Sequence, residues 1–300
     1  MEVDHHVKHE YKSIDTKVLK KPQKVHVLIS SFLVHLFLIV LAGLVVVPLI
    51  LPFLFAFKTS LEFAYHPWSL PKNLQWENFK IAWESVKIGL GMKNTFIVCL
   101  GAVLTTVPPA AMAGYIFARY RTKVTNVLFY VIMAGFFVPS QMVLIPLYKM
   151  EIKMGLVNTL PGLFLIMAAF GIPFWTMIYR SFYNGLPGEL MEAAKIDGAG
   201  HWGIFFKIMF PMAKPATVLA VLLSFMGAWS DYMLSLIFIN SSELFTLQLR
   251  IAQFIGNMGA NYFPQYAAGV IISAAPTIIL YVIFHKKIIE GTTLAGALKG

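Results

Sequence analysis

The sequence predicts an all-α, polytopic membrane protein with six transmembrane helices and both termini on the cytoplasmic side. Three observations carry this. Hydrophobic residues fill 58% of the 300 positions and charged residues only 13%, against roughly 25% charged in soluble domains. Apolar runs recur along the chain, each close to or above the ~20 residues needed to cross hydrocarbon. Two-thirds of the 24 Lys and Arg lie in alternate connecting segments, the bias that marks cytoplasmic loops.

The expected organisation is a cytoplasmic tail at 1–24, one membrane domain at 25–285, and a second tail at 286–300. The net charge of +10 follows from the loop bias. It does not require nucleic acid as a partner; the partner implied is membrane lipid. Cys99 lies alone in an apolar run and reads as a small buried hydrophobe. No cleavable signal is visible, because the first apolar run is too long for a signal core and reads as an anchor.

The elements follow in order. The tail carries six Lys together with His5, His6 and His9; a solvated segment outweighs a metal site there, since no second ligand cluster joins them. Span one falls within Val25–Phe57, which contains no Lys, Arg, Asp or Glu. Lys58–Lys93 is polar and carries Trp68, Trp76 and Trp83, which favour the membrane–water boundary; short helices on the outer surface are expected. Span two is Asn94–Ala118, broken at Pro108-Pro109. A tight basic loop follows with Arg119, Arg121 and Lys123. Span three is Val124–Tyr148 and span four starts near Thr159. Span five is Ala216–Ile239. A long outer loop, Asn240–Tyr266, leads to span six, Ala267–Phe284.

Between spans four and five lies the most informative stretch, Leu186–Pro215. Pro187 suits a first helical turn, Glu189 and Glu192 suit the positive end of a helix dipole, and Gly198 is a stop signal. A helix is expected over Pro187–Asp197. A second is expected over His201–Met209, with Trp202, Phe205 and Phe206. The small residues Ala193, Ala194 and Gly198 would let another surface approach the backbone. An amphipathic helix on the lipid surface is the rival reading, but Ala and Gly make a poor membrane face.

The spacing Glu192-Ala193-Ala194, three residues, Gly198, nine residues, Ile208, two residues, Pro211 resembles the EAA motif of ABC importer permease subunits. Asp197 and Ala199 extend the match; Phe210 stands where that family commonly has Leu. The chain is similar to the carbohydrate-uptake type, as in the six-span permease subunit of maltose importers. The resemblance implies a coupling helix between spans four and five. Glu192, Ala193, Ala194, Asp197, Gly198, Ala199, Ile208 and Pro211 would then seat against an ATPase. It also implies a second permease subunit, two ATP-binding subunits, an extracytoplasmic solute-binding protein, a sugar or oligosaccharide substrate, and residence in a prokaryotic inner membrane.

Asp231 is the only acid within an apolar span. At ~1.5 Å per residue it lies ~22 Å from the inner end of span five. Intramembrane acids default to functional hypotheses, so Trp229, Asp231 and Tyr232 are candidates for the solute path. The alternative is a structural hydrogen bond between helices. In the resembling family the loop containing Gly256, Asn257 and Gly259 faces the binding protein; a plain surface connection is the rival reading.

Other chemistry is not indicated. Gly-Lys never occurs, so no P-loop is present, and no cofactor, metal or catalytic group is expected. Gly198–Gly203 fits GxGxxG but does not follow a strand. Asn240-Ser241-Ser242 fits a glycosylation acceptor only weakly. The rival function is a secondary transporter driven by an ion gradient, against which stand a single intramembrane acid and no internal repeat.

Overall fold

The computed structural model describes residues 24–297 as backbone and the side chains of 31–286, apart from Ile255, Asn257, Met258 and Ala260. The histidine-bearing tail and the end of the C-terminal tail therefore lie outside the described residues.

The chain divides into two units, 1–51 and 52–300. In the first, helix α1 (Lys24–Ala56) runs from its start to the boundary. Most of its described side chains there are exposed and apolar, among them Phe32, Phe37, Ile39 and Leu44. That surface matches hydrocarbon better than water.

The second unit begins with two short helices, α2 (Ser60–Tyr65) and α3 (Glu77–Ser85), as the tryptophan-rich segment predicts. Trp68 and Trp76 are exposed. The connection is fixed by Lys58, whose Nζ donates to the carbonyls of His66 and Pro67 at 2.6 and 2.7 Å. Asn78 donates to the Lys58 carbonyl at 2.8 Å.

Helices α4 (Ile88–Arg119) and α7 (Leu160–Asn184) form the centre of this unit. They run parallel: Gly101 faces Phe164, Gly114 faces Tyr179, and the C-terminal ends meet where Arg119 Nη2 donates to Leu186 O at 2.9 Å. A Cβ on Gly114 would lie 2.5 Å from Tyr179 Cβ and 2.9 Å from Arg180 N, so glycine permits the close crossing. Pro108 and Pro109 do not break α4, contrary to the sequence expectation. A membrane helix tolerates proline where neighbouring helices and side chains re-satisfy the freed backbone, and α7 packs along this one.

Span three, expected as continuous, is two helices: α5 (Lys123–Phe136) and α6 (Ser140–Met154), bent by 103°. The chain turns at Phe137–Pro139, and Pro139 has no N–H to continue a helix.

Next come α8 (Glu189–Ile196), α9 (His201–Ile204), a π-helical turn over Phe205–Met209, and α10 (Phe210–Met212). Helix α11 (Lys214–Ser230) returns antiparallel to α4 and α7. Tyr179 Oη donates to Thr217 Oγ1 at 2.9 Å near its start, and Trp229 Nε1 donates to Ser273 O at 3.1 Å near its end. The expected span five stops at Ser230; α12 (Met233–Phe238) follows a break.

Helix α13 (Leu247–Met258) and the long α14 (Phe263–Ala297) complete the chain. Asn94 donates to the carbonyls of Glu243 and Phe245, and Thr95 Oγ1 accepts from Leu247 N, locking the start of α13 to the start of α4. Four helices are long and apolar enough to cross a membrane, or six if each of two bent pairs counts as one span.

Candidate functional site

The loop between α7 and α11 is built by local backbone chemistry. Helix α8 starts at Glu189, two residues later than expected, because Pro187 stays outside it. Glu189 and Glu192 occupy the first turn, where a carboxylate favours the exposed N–H groups. At the other end Gly198 adopts φ +78°. Gly198 N donates to Lys195 O at 3.0 Å and Ala199 N to Ala194 O at 2.9 Å. This is the Schellman arrangement, which needs a left-handed residue in the position Gly198 holds.

The structure divides the motif into two faces. Ala194 is buried beside Tyr115, Tyr183, Ile204 and Phe205, with Met191 and Ala199 packed on the same cluster. Glu192, Ala193, Asp197 and Gly198 are exposed. Ile196 joins them at 86% exposure, a residue the sequence reading missed. Its spacing of four from Glu192 would have placed it on that face. Ile208 is half-buried against the core, and Pro211 is exposed in the first turn of α10.

The helix expected over His201–Met209 changes character midway. After α9 the backbone widens into the π-helical turn Phe205–Met209, a feature found often at functional positions. Phe205 and Met209 point into the core, while Trp202 and Phe206 stack outside it at 5.9 Å.

Three polar contacts tie this loop to the turn between α4 and α5. Arg119 Nη2 donates to Leu186 O at 2.9 Å, Arg121 Nη2 donates to Asn184 Oδ1 at 3.1 Å, and Tyr120 Oη lies 2.7 Å from His201 Nδ1. The loop is therefore held at its entry and again at α9.

The Trp229, Asp231 and Tyr232 group separates. Trp229 is buried, stacks on Phe225 at 6.0 Å and bonds to α14, so it holds helices together. Asp231 sits in the break after α11. Its carboxylate accepts from Leu234 N at 3.3 Å, and from Ser235 N and Ser235 Oγ at 3.0 Å each. It thereby caps α12. Tyr232 is 40% exposed.

Gly256 and Asn257 lie in α13, so the expected outer loop Asn240–Tyr266 is in part a helix; Gly256 is exposed, and the side chain of Asn257 is outside the described residues. Gly259, at φ +81°, makes the turn that follows. The neighbouring Asn240-Ser241 pair is clasped by Asn158. Asn158 Oδ1 accepts from Asn240 N and Ser241 N at 2.9 and 2.8 Å, and Asn158 Nδ2 donates to Ser241 Oγ at 2.6 Å.

Comparison with known proteins gives consistent matches. The family model described as "Binding-protein-dependent transport system inner membrane component" matches residues 110–289. The diacetylchitobiose uptake system permease protein NgcG of Streptomyces coelicolor is 31% identical over 85% of this chain and 84% of that protein. The melibiose/raffinose/stachyose import permease protein MelC of Bacillus subtilis is 32% identical over 87% of this chain and 95% of that protein. In fold, the chain is similar to one in a bacterial ABC transporter involved in the import of the acidic polysaccharide alginate. The TM-score is 0.79 at 20% identity, covering 89% of this chain and 98% of that one.

Proposed function

Because the chain belongs to the family of inner-membrane components of binding-protein-dependent transport systems, we propose that it carries a sugar or oligosaccharide inward while its Glu189–Ile196 helix receives the stroke of an ATPase. The chain is a permease subunit of an ABC importer, with no catalysis of its own. The sugar class is supported by relatives whose names specify diacetylchitobiose and melibiose, raffinose or stachyose.

In this reading six spans cross the membrane, with the domain limits 25–285 and the two tails inside. The bent pair α5 and α6 then serves as one span, and α11 with α12 as another, while α9 and α10 stay in the cytoplasmic loop. A second permease forms the other wall of the path, two ATP-binding subunits sit below, and a solute-binding protein delivers from the outer side. The end of α13 holding Gly256 and Asn257, with the turn at Gly259, faces that protein.

The observation that carries the coupling role is the two-faced helix α8. Ala194 and Ala199 are packed on their own core, while Glu192, Ala193, Ile196, Asp197 and Gly198 stand open. Ala193 and Gly198 offer little side chain, so a cleft can close on the backbone, and Ile196 supplies an apolar anchor. Ile208 braces the base of the loop and Pro211 leads towards α11. Closure of the ATPase performs work on the path only if the loop binds differently in the open and closed states. Asp231 and Tyr232 border the path; Trp229 positions them.

The test is uptake into sealed vesicles containing the full complex, with its binding protein supplied outside the vesicle face it addresses. Import should require ATP and stop with vanadate. Import that persists without ATP and follows an ion gradient would sink the reading.

A further inference from the structure

Two cavities meet beside Asp231. One, of about 350 Å³, lies among α4, α7 and α11 and includes Thr106, Trp175 and Ser224. The other, of about 510 Å³, lies against the α5–α6 bend and includes Phe136, Pro139 and Gln141. Phe170, Asp231 and Leu234 line both. The volumes are in the range that holds small ligands.

Two interruptions of helical backbone open onto the second cavity. Gly135–Ser140 covers the 103° bend between α5 and α6, and Asp231–Leu234 covers the break between α11 and α12. Within a membrane, non-helical backbone is tolerated only where protein buries it or where it lines a water-filled space. Discontinuous helices of this kind build solute sites in transporters.

The lining has a consistent chemistry. Phe136 and Phe174 stack at 6.0 Å and 24°, and Phe174 meets Trp175 edge-on at 4.9 Å. These rings give flat apolar faces. Ser224 Oγ is buried at the wall with no hydrogen-bond partner; a buried hydroxyl left unpaired is costly, so it is available to a ligand. Gln141 supplies a donor and an acceptor. Among the described lining residues the Asp231 carboxylate is the single charged group, and no Lys or Arg accompanies it.

We propose that the joined cavities form one weak site for an uncharged, polyhydroxylated solute, and that Asp231 makes the site unfavourable to anionic ones. The proposal rests on the permease reading. Sugar hydroxyls donate to the Asp231 carboxylate and exchange hydrogen bonds with Ser224 and Gln141, while ring C–H faces lie on the aromatic floor. An anionic group in the same place meets like charge with no cation among the described lining residues to offset it.

The experiment uses the complete complex in lipid nanodiscs without its binding protein. Raffinose, maltotriose and trigalacturonate are titrated while tryptophan emission is followed. At least one of the two neutral sugars should give a saturable change that vanishes in Trp175→Phe and weakens about fivefold in Ser224→Ala or Gln141→Ala, the worth of one neutral hydrogen bond. Trigalacturonate should be silent on the native complex and bind to Asp231→Asn, in which the amide oxygen still caps α12. No response to either neutral sugar, equal binding of trigalacturonate by the native complex, or indifference to all three lining substitutions would overturn the proposal. Loss of ATP-dependent import by the native complex would instead sink the permease reading.

Discussion

Tyr120 Oη lies 2.7 Å from His201 Nδ1, joining the end of the central helix α4 to the start of α9. With Arg119 and Arg121 gripping Leu186 and Asn184, the loop can pull on α4 directly as well as through α7 and α11. Tyr120→Phe and His201→Ala should each lower solute imported per ATP hydrolysed, and the double variant should be no worse than the singles. His201→Gln, which keeps a polar partner, should recover much of the ratio. Hydrolysis and uptake measured together in reconstituted vesicles decide it; an unchanged ratio in all variants would show the contact to be incidental.

Gly198 holds a left-handed conformation at the exposed end of α8. Gly198→Ala should cost about 1–2 kcal/mol locally and reduce uptake partially. Gly198→Arg adds bulk to the exposed face proposed to seat an ATPase and should abolish uptake while leaving membrane insertion intact. Co-purification of the ATPase with each variant separates the two effects, and normal uptake by Gly198→Arg would count against the coupling role.

Gly114 is the tightest backbone crossing of α4 and α7 for which a new side chain would meet main-chain atoms. Gly114→Ala should destabilise the protein by about 1–3 kcal/mol through overpacking. A lowered Tm in detergent, without change at Gly135→Ala where nothing lies within 4 Å, is the expected pattern.

Asn158 adopts φ 59° and makes three side-chain hydrogen bonds to Asn240 and Ser241. Asn158→Ala leaves those groups unpaired and should cost about 1–3 kcal/mol. Faster hydrogen exchange at 239–245, with α4 unaffected, would report it; equal exchange would mean water replaces the clasp without loss.

Glu62 closes a capping box on Thr59 at the start of α2. The Thr59 backbone N–H donated to Glu62 is the main cause holding its carboxyl below the usual carboxylate range. A depressed carboxyl contributes stability above its unfolded pKa of about 4.3 and loses it as pH falls through the lower folded value. Amide protection over 60–65 should therefore be level at neutral pH and fall in acid below that range. In Glu62→Gln the acid step should disappear.

Much of this was legible in the chain because solvent matching is a composition effect. The long apolar runs became α1, α4, α7 and α14, and Gly198 ended its helix as the turn chemistry requires. Proline was harder to read. Pro108-Pro109 sits inside an unbroken helix while Pro139 stands at a sharp bend, and that difference depends on which neighbour packs alongside. Sequence spacing placed Ala193 and Ala194 together, but only the fold puts one in the core and one in the open. Asp231 was visible as an anomaly; its bonds to Leu234 and Ser235 come from a helix break that hydropathy does not mark.

The wide turn at Phe205–Met209 acts as a dislocation in an otherwise regular coil. It stores one surplus residue between α9 and α10. Squeezing that residue out would rotate everything beyond it by about 100°, the angle per residue at 3.6 residues per turn. The chain thus holds slack between the exposed α8 and the helix that leads to Asp231, so a small push there can be taken up as a twist.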